Sequence, residues 1–80
     1  MADGTHDVER LVNRIKPLLA GQPPEIVGAA LADLLAIWIA SHVYKNMPDT
    51  TDTMREALLV AHIDRVRELI PVNAAIIGTQ

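Results

Sequence analysis

The stretch IVGAALADLLAIWIASHVY, residues 26–44, decides how this chain is read. It is almost wholly apolar, yet Asp33 interrupts it, and Gly28, Ala32, Ala36 and Ala40 recur at every fourth position. Three readings compete: a membrane span, the buried centre of a small protein, or a surface kept for a partner. Residues 26–43 would make a helix about 27 Å long, slightly short of a hydrocarbon core of ~30 Å. Asp33 placed centrally in lipid would cost about 2.5–3.5 kcal/mol. Ser41 and His42 add further polar groups, and no aromatic or basic belt flanks both ends. Length and charge together favour a soluble, buried helix over a span.

The neighbouring segments fit that reading because both are amphipathic and need an apolar surface to cover. On the N-terminal side, Val8, Leu11, Val12, Ile15, Leu18 and Leu19 follow i, i+3, i+4, i+7 spacing and form one stripe. The expected first helix covers residues 6–19. Asp7 and Glu9 lie near its positive end and Arg14 and Lys16 near its negative end, while Pro17 removes one hydrogen bond close to the stop. In GQPPE, residues 21–25, two prolines suit only a helix start, where their missing N–H groups would be unpaired anyway. Helix two is therefore expected over 24–45.

Pro48 disfavours a helical Met47 and ends that segment. A third helix is expected over 52–70, with Thr53 and Glu56 at capping-box spacing. Leu58, Leu59, Ile63, Val66, Leu69 and Ile70 form its apolar face. Pro71 marks its expected end, leaving a short apolar tail over 71–80. No repeat, low-complexity run or strand-like alternation is present. The fold class is all-α, a small three-helix bundle in one domain of eighty residues.

Placed at 100° per residue, Leu31, Leu35, Trp38, Ile39, His42 and Val43 cover one broad side of helix two. Asp33, Ser41 and Tyr44 occupy the other, with Ala30, Ile37 and Ala40 between them. A helix apolar around its circumference is normally surrounded. Two flanking helices cover only part of it, and a second copy of the chain is the simplest cover for the rest. The small-residue row serves either of two purposes. It receives larger side chains from helix one or three, or it lets a second helix approach closely across a dimer.

Composition narrows the chemistry. The chain has no cysteine, which excludes disulfides, thiolate metal sites and a cysteine nucleophile. Phenylalanine is also absent, and Trp38 and Tyr44 are the sole aromatics, so any core is aliphatic. The net charge of −3 opposes a phosphate-holding role, which needs convergent Lys and Arg. Ser41 is the single serine, and the four glycines form no phosphate loop. His42 and His62 project from apolar faces and could meet, but no third ligand shares their side. They read as boundary histidines bonded to a carbonyl or water. Asp33 reads as exposed or paired with an arginine.

These residues call for no catalytic group, no metal and no cofactor. The expected function is a non-enzymatic protein–protein interaction module: an adaptor, an inhibitor or an assembly subunit acting as a helical homodimer. Its candidate interface comprises Gly28, Ala32, Ala36, Ile37, Trp38, Ala40, Ser41, Tyr44, Ile76 and Ile77. An acidic DNA-binding regulator using Arg55, Arg65 and Arg67 is one alternative, and a peripheral membrane protein is another. MADGTHDVER, residues 1–10, lacks the basic and apolar regions of a signal peptide, so a cytoplasmic location is expected.

Overall fold

The computed structural model describes residues 4–79. Its regular structure is entirely helical: α1 (Thr5–Leu19), α2 (Pro24–Ala40) and α3 (Pro48–Gly78), with no strand among the described residues. The chain divides into two compact units, Met1–Asp33 and Leu34–Gln80. The first part of α2 belongs with α1, and the remainder belongs with α3.

In the first unit, Gly4 adopts a left-handed φ of 81° and its carbonyl accepts the Val8 N–H at 3.0 Å, which launches α1. Asp7 in the first turn and Lys16 in the last complement the helix dipole. Pro17 is accommodated because only two helical residues follow it. The turn that follows uses Gly21 at φ 79°, a conformation glycine adopts without a Cβ penalty. Pro24 then opens α2, and the Pro23 carbonyl accepts both the Ile26 and Val27 N–H groups. Leu19 and Val27 are partly covered, whereas Val8, Leu11, Val12, Ile15 and Leu18 are exposed.

In the second unit, two boundaries differ from the sequence expectation. α2 stops at Ala40, not at residue 45. The Ile37 and Ile39 carbonyls accept the Ser41 and His42 N–H groups, and those of Trp38 and Ala40 find side-chain partners, as the next section describes. α3 starts at Pro48, four residues before the expected 52, because proline at the first helical position lacks only an N–H that has no intrahelical partner there. It then runs through Pro71 to Gly78, so most of the expected tail is helical. Proline inside a helix forfeits one bond, here to the Arg67 carbonyl. Ala74 and Ala75 are good helix formers beyond it, and Asn73 Nδ2 donates to the Leu69 carbonyl at 2.9 Å across the same turn.

Partial burial in this unit marks two facing stripes. Leu35, Ile39 and His42 are partly covered on one side, and Met54, Arg55, Leu58 and His62 on the other. Both sets have helical i, i+3/i+4, i+7 spacing. Thr51, at 5% exposure, is the single buried residue among those described, and no apolar side chain is buried.

Candidate functional site

The corner joining α2 to α3 is tied by several side-chain hydrogen bonds. The Thr51 hydroxyl accepts the Tyr44 N–H at 2.9 Å and donates to the Tyr44 carbonyl at 3.2 Å. Arg55 reaches back along the chain, donating from Nη2 to the Ala40 carbonyl at 2.7 Å and from Nε to the His42 carbonyl at 3.2 Å. A guanidinium there also suits the negative end of the α2 dipole. The Trp38 carbonyl, one of the terminal acceptors of α2, takes the Ser41 hydroxyl at 2.6 Å and His42 Nδ1 at 2.8 Å. Asn46 turns the backbone at φ 63°, and Met47 leads into α3.

Aromatic contacts reinforce the corner. The Trp38 ring lies 4.6 Å from His42 at an interplanar angle of 73°, and 4.7 Å from His62 at 58°. His62 Nδ1 bonds the Leu58 carbonyl at 3.0 Å. Carbonyl oxygens only accept, so each imidazole donates from Nδ1. Two imidazoles fall short of a metal site, and the described residues contain no group of three His, Asp or Glu placed to hold an ion. Asp33 is exposed.

The depressions on this unit are shallow and open. One runs along α3 past Asp52, Glu56, Val60 and Asp64, and another lies at the corner beside Val43, Met47 and Arg55. Among the described residues, no helix is long and apolar enough to cross a membrane.

The ten residues expected at an interface are all exposed. Gly28 and Ala32 lie in the first unit, and the other eight lie in the second. The small-residue row receives no larger side chain at Gly28, where an added Cβ would meet nothing within 4 Å. Ile37 is exposed on α2, Trp38 keeps part of its ring accessible beside His62, and Ile76 and Ile77 stand exposed in the last turns of α3. No spacing in the sequence marks Thr51 or Arg55 for this corner: the sequence offers Thr51 as one of several helix starts and Arg55 as a DNA contact. Its guanidinium is instead committed to backbone carbonyls. The other two arginines of that set are in ion pairs, Arg65 with Glu68 at 2.9 Å and Arg67 with Asp64 at 3.7 Å. No protein-family model, curated protein or solved structure matches this chain, so its function is read from these residues alone.

Proposed function

We propose that this chain is a non-enzymatic protein–protein interaction module, a bundle of helices completed by homodimerisation, that serves as an adaptor, inhibitor or assembly subunit. The observation that carries this reading is the exposure of its apolar side chains. Ile37, Trp38, Val66, Ile70, Ile76 and Ile77 all remain accessible, on a chain that buries no apolar residue among those described. A chain of this size is marginal without a staple or a partner, and it has no cysteine to supply a disulfide. Apolar residues left exposed at this density mark interaction sites. The proposed docking area for a foreign protein is the exposed Ile37 of α2 together with Ser41 and Tyr44 in the segment that follows it. A cytoplasmic location suits that role.

The DNA-binding alternative has weaker support, because Arg55 is spent on carbonyls and Arg65 and Arg67 are shared with acids. Light scattering behind size exclusion, across a wide dilution range, tests the homodimer. The expected mass is twice the 8.7 kDa of one chain, maintained into the low micromolar range. A single-chain mass at every concentration refutes it.

A further inference from the structure

α3 carries a pattern that its contacts with α2 do not use. Leu59, Ile63, Val66, Ile70, Asn73 and Ile77 are spaced four and three residues apart in strict alternation. That is the spacing of the two inward positions of a heptad, here repeated three times. At 100° per residue the six lie within an arc of about 80° on one helix face. The side that meets α2 is different: Thr51, Leu58 and His62 lie beyond one edge of that arc. Exposure along the stripe rises toward the C-terminus, from 36% at Leu59 through 41% at Ile63, 51% at Val66 and 60% at Ile70 to 68% at Ile77.

The polar member of the stripe identifies the occupant. Asn73 interrupts five aliphatic residues; one amide hydrogen is spent on the Leu69 carbonyl, and an apolar partner or a lipid surface would leave the amide oxygen without a mate. An identical helix lying parallel and in register sets Asn73 against Asn73, and an amide is both donor and acceptor, so it matches itself. An antiparallel copy centred on the stripe would oppose Asn73 to Ile63 instead. The charges agree with self-association. Asp64, Arg65 and Glu68 lie off the stripe, Arg67 lies at its margin, and the four are already paired within α3.

We propose that Leu59–Ile77 of α3 is the seam of a parallel, in-register, two-stranded coiled coil between two copies of this chain, in which Asn73 faces Asn73 and favours the parallel register over the antiparallel one. The assignment rests on the homodimer reading above and names the surface that forms it. It leaves the exposed Ile37 of α2 free for a foreign protein.

The absence of cysteine makes cross-linking a clean test. Full-length Leu59→Cys and Glu68→Cys chains, checked for unchanged helicity, are air-oxidised and run on non-reducing gels. Leu59→Cys is expected to become a covalent dimer, and Glu68→Cys, on the opposite side of α3, to remain a single chain. Asn73→Ile is expected to lower the dimer's dissociation concentration at least about tenfold and to admit species larger than a dimer. An unchanged dissociation concentration overturns the placement of Asn73. Leu59→Cys that cross-links only when mixed with Ile77→Cys shows antiparallel chains and overturns the proposal. If the wild-type chain is a dimer but Leu59→Cys does not cross-link, dimerisation lies elsewhere; the seam falls and the homodimer reading stands. A wild-type monomer overturns both. A monomer that sediments with phosphatidylcholine vesicles, and loses that binding on Ile70→Asp, assigns the stripe to lipid and likewise overturns the seam.

Discussion

Replacing Arg55 with methionine tests whether polar bonds hold the α2–α3 corner. The substitution keeps the aliphatic stem and removes the guanidinium that donates to the Ala40 and His42 carbonyls at 2.7 and 3.2 Å. Hydrogen bonds involving a charged group contribute about 1.5–3 kcal/mol, and neutral ones about 0.5–1.5 kcal/mol. The Ala40 bond is solvent-exposed and the His42 bond is half-buried. Discounting for water, about 1 kcal/mol for the first and about 1.5 kcal/mol for the second is a reasonable assignment. The total, about 2.5 kcal/mol, corresponds to a fall in Tm of about 10–20 °C for a domain of this size. The assay is thermal unfolding followed by circular dichroism at 222 nm, with variants compared at one chain concentration because any self-association makes Tm concentration-dependent. Arg55→Lys retains the charge but not the fork, and is expected to recover about half of the loss. A fall in Tm of less than about 3 °C for Arg55→Met refutes the reasoning: water would then serve these carbonyls as well as the arginine does.

Two further substitutions probe separate parts of the chain. Thr51→Val keeps the shape of the one buried side chain but removes both bonds to Tyr44; about 1–2 kcal/mol of stability should be lost in urea unfolding, while Thr51→Ser retains most of it. Equal losses for valine and serine would show that the methyl group matters rather than the hydroxyl. Gly28→Ala adds helix propensity where a Cβ meets open space, so about 0.8–1 kcal/mol should be gained and Tm should rise by about 3–8 °C. A fall instead would mean that a second helix backbone rests on Gly28.

The all-helical class was legible because three apolar patterns with helical period are separated by GQPP and by NMPD, and proline and glycine there leave little choice. The ends of α2 and α3 were less legible, for two different reasons. At Pro71 the local rule for proline is outweighed by the continuing run of helical bonds on either side, so a signal that normally stops a helix sits inside one. At Tyr44 the opposite holds: apolar pattern continues past Ala40, but the backbone leaves the helix because distant groups satisfy it. Arg55 lies 15 residues from Ala40 and 13 from His42, and Thr51 lies seven from Tyr44. Such pairings follow from the path of the loop, not from any period in the residues. The exposed interface candidates were named from composition, which records how apolar a helix is. It does not record which side is left uncovered once α3 takes its place beside the second part of α2.

Trp38 is the sole tryptophan, and its indole stands beside two imidazoles, one from the residue that follows α2 and one from the middle of α3. Its emission is thus an optical gauge built into one corner of the molecule. Loss of the His62 contact changes the surroundings of the chromophore even when every helix keeps its turns. Ellipticity, by contrast, averages over α1, α2 and α3 alike. Following both signals through one melt separates the parting of two helices from the uncoiling of each, without attaching a dye or a label.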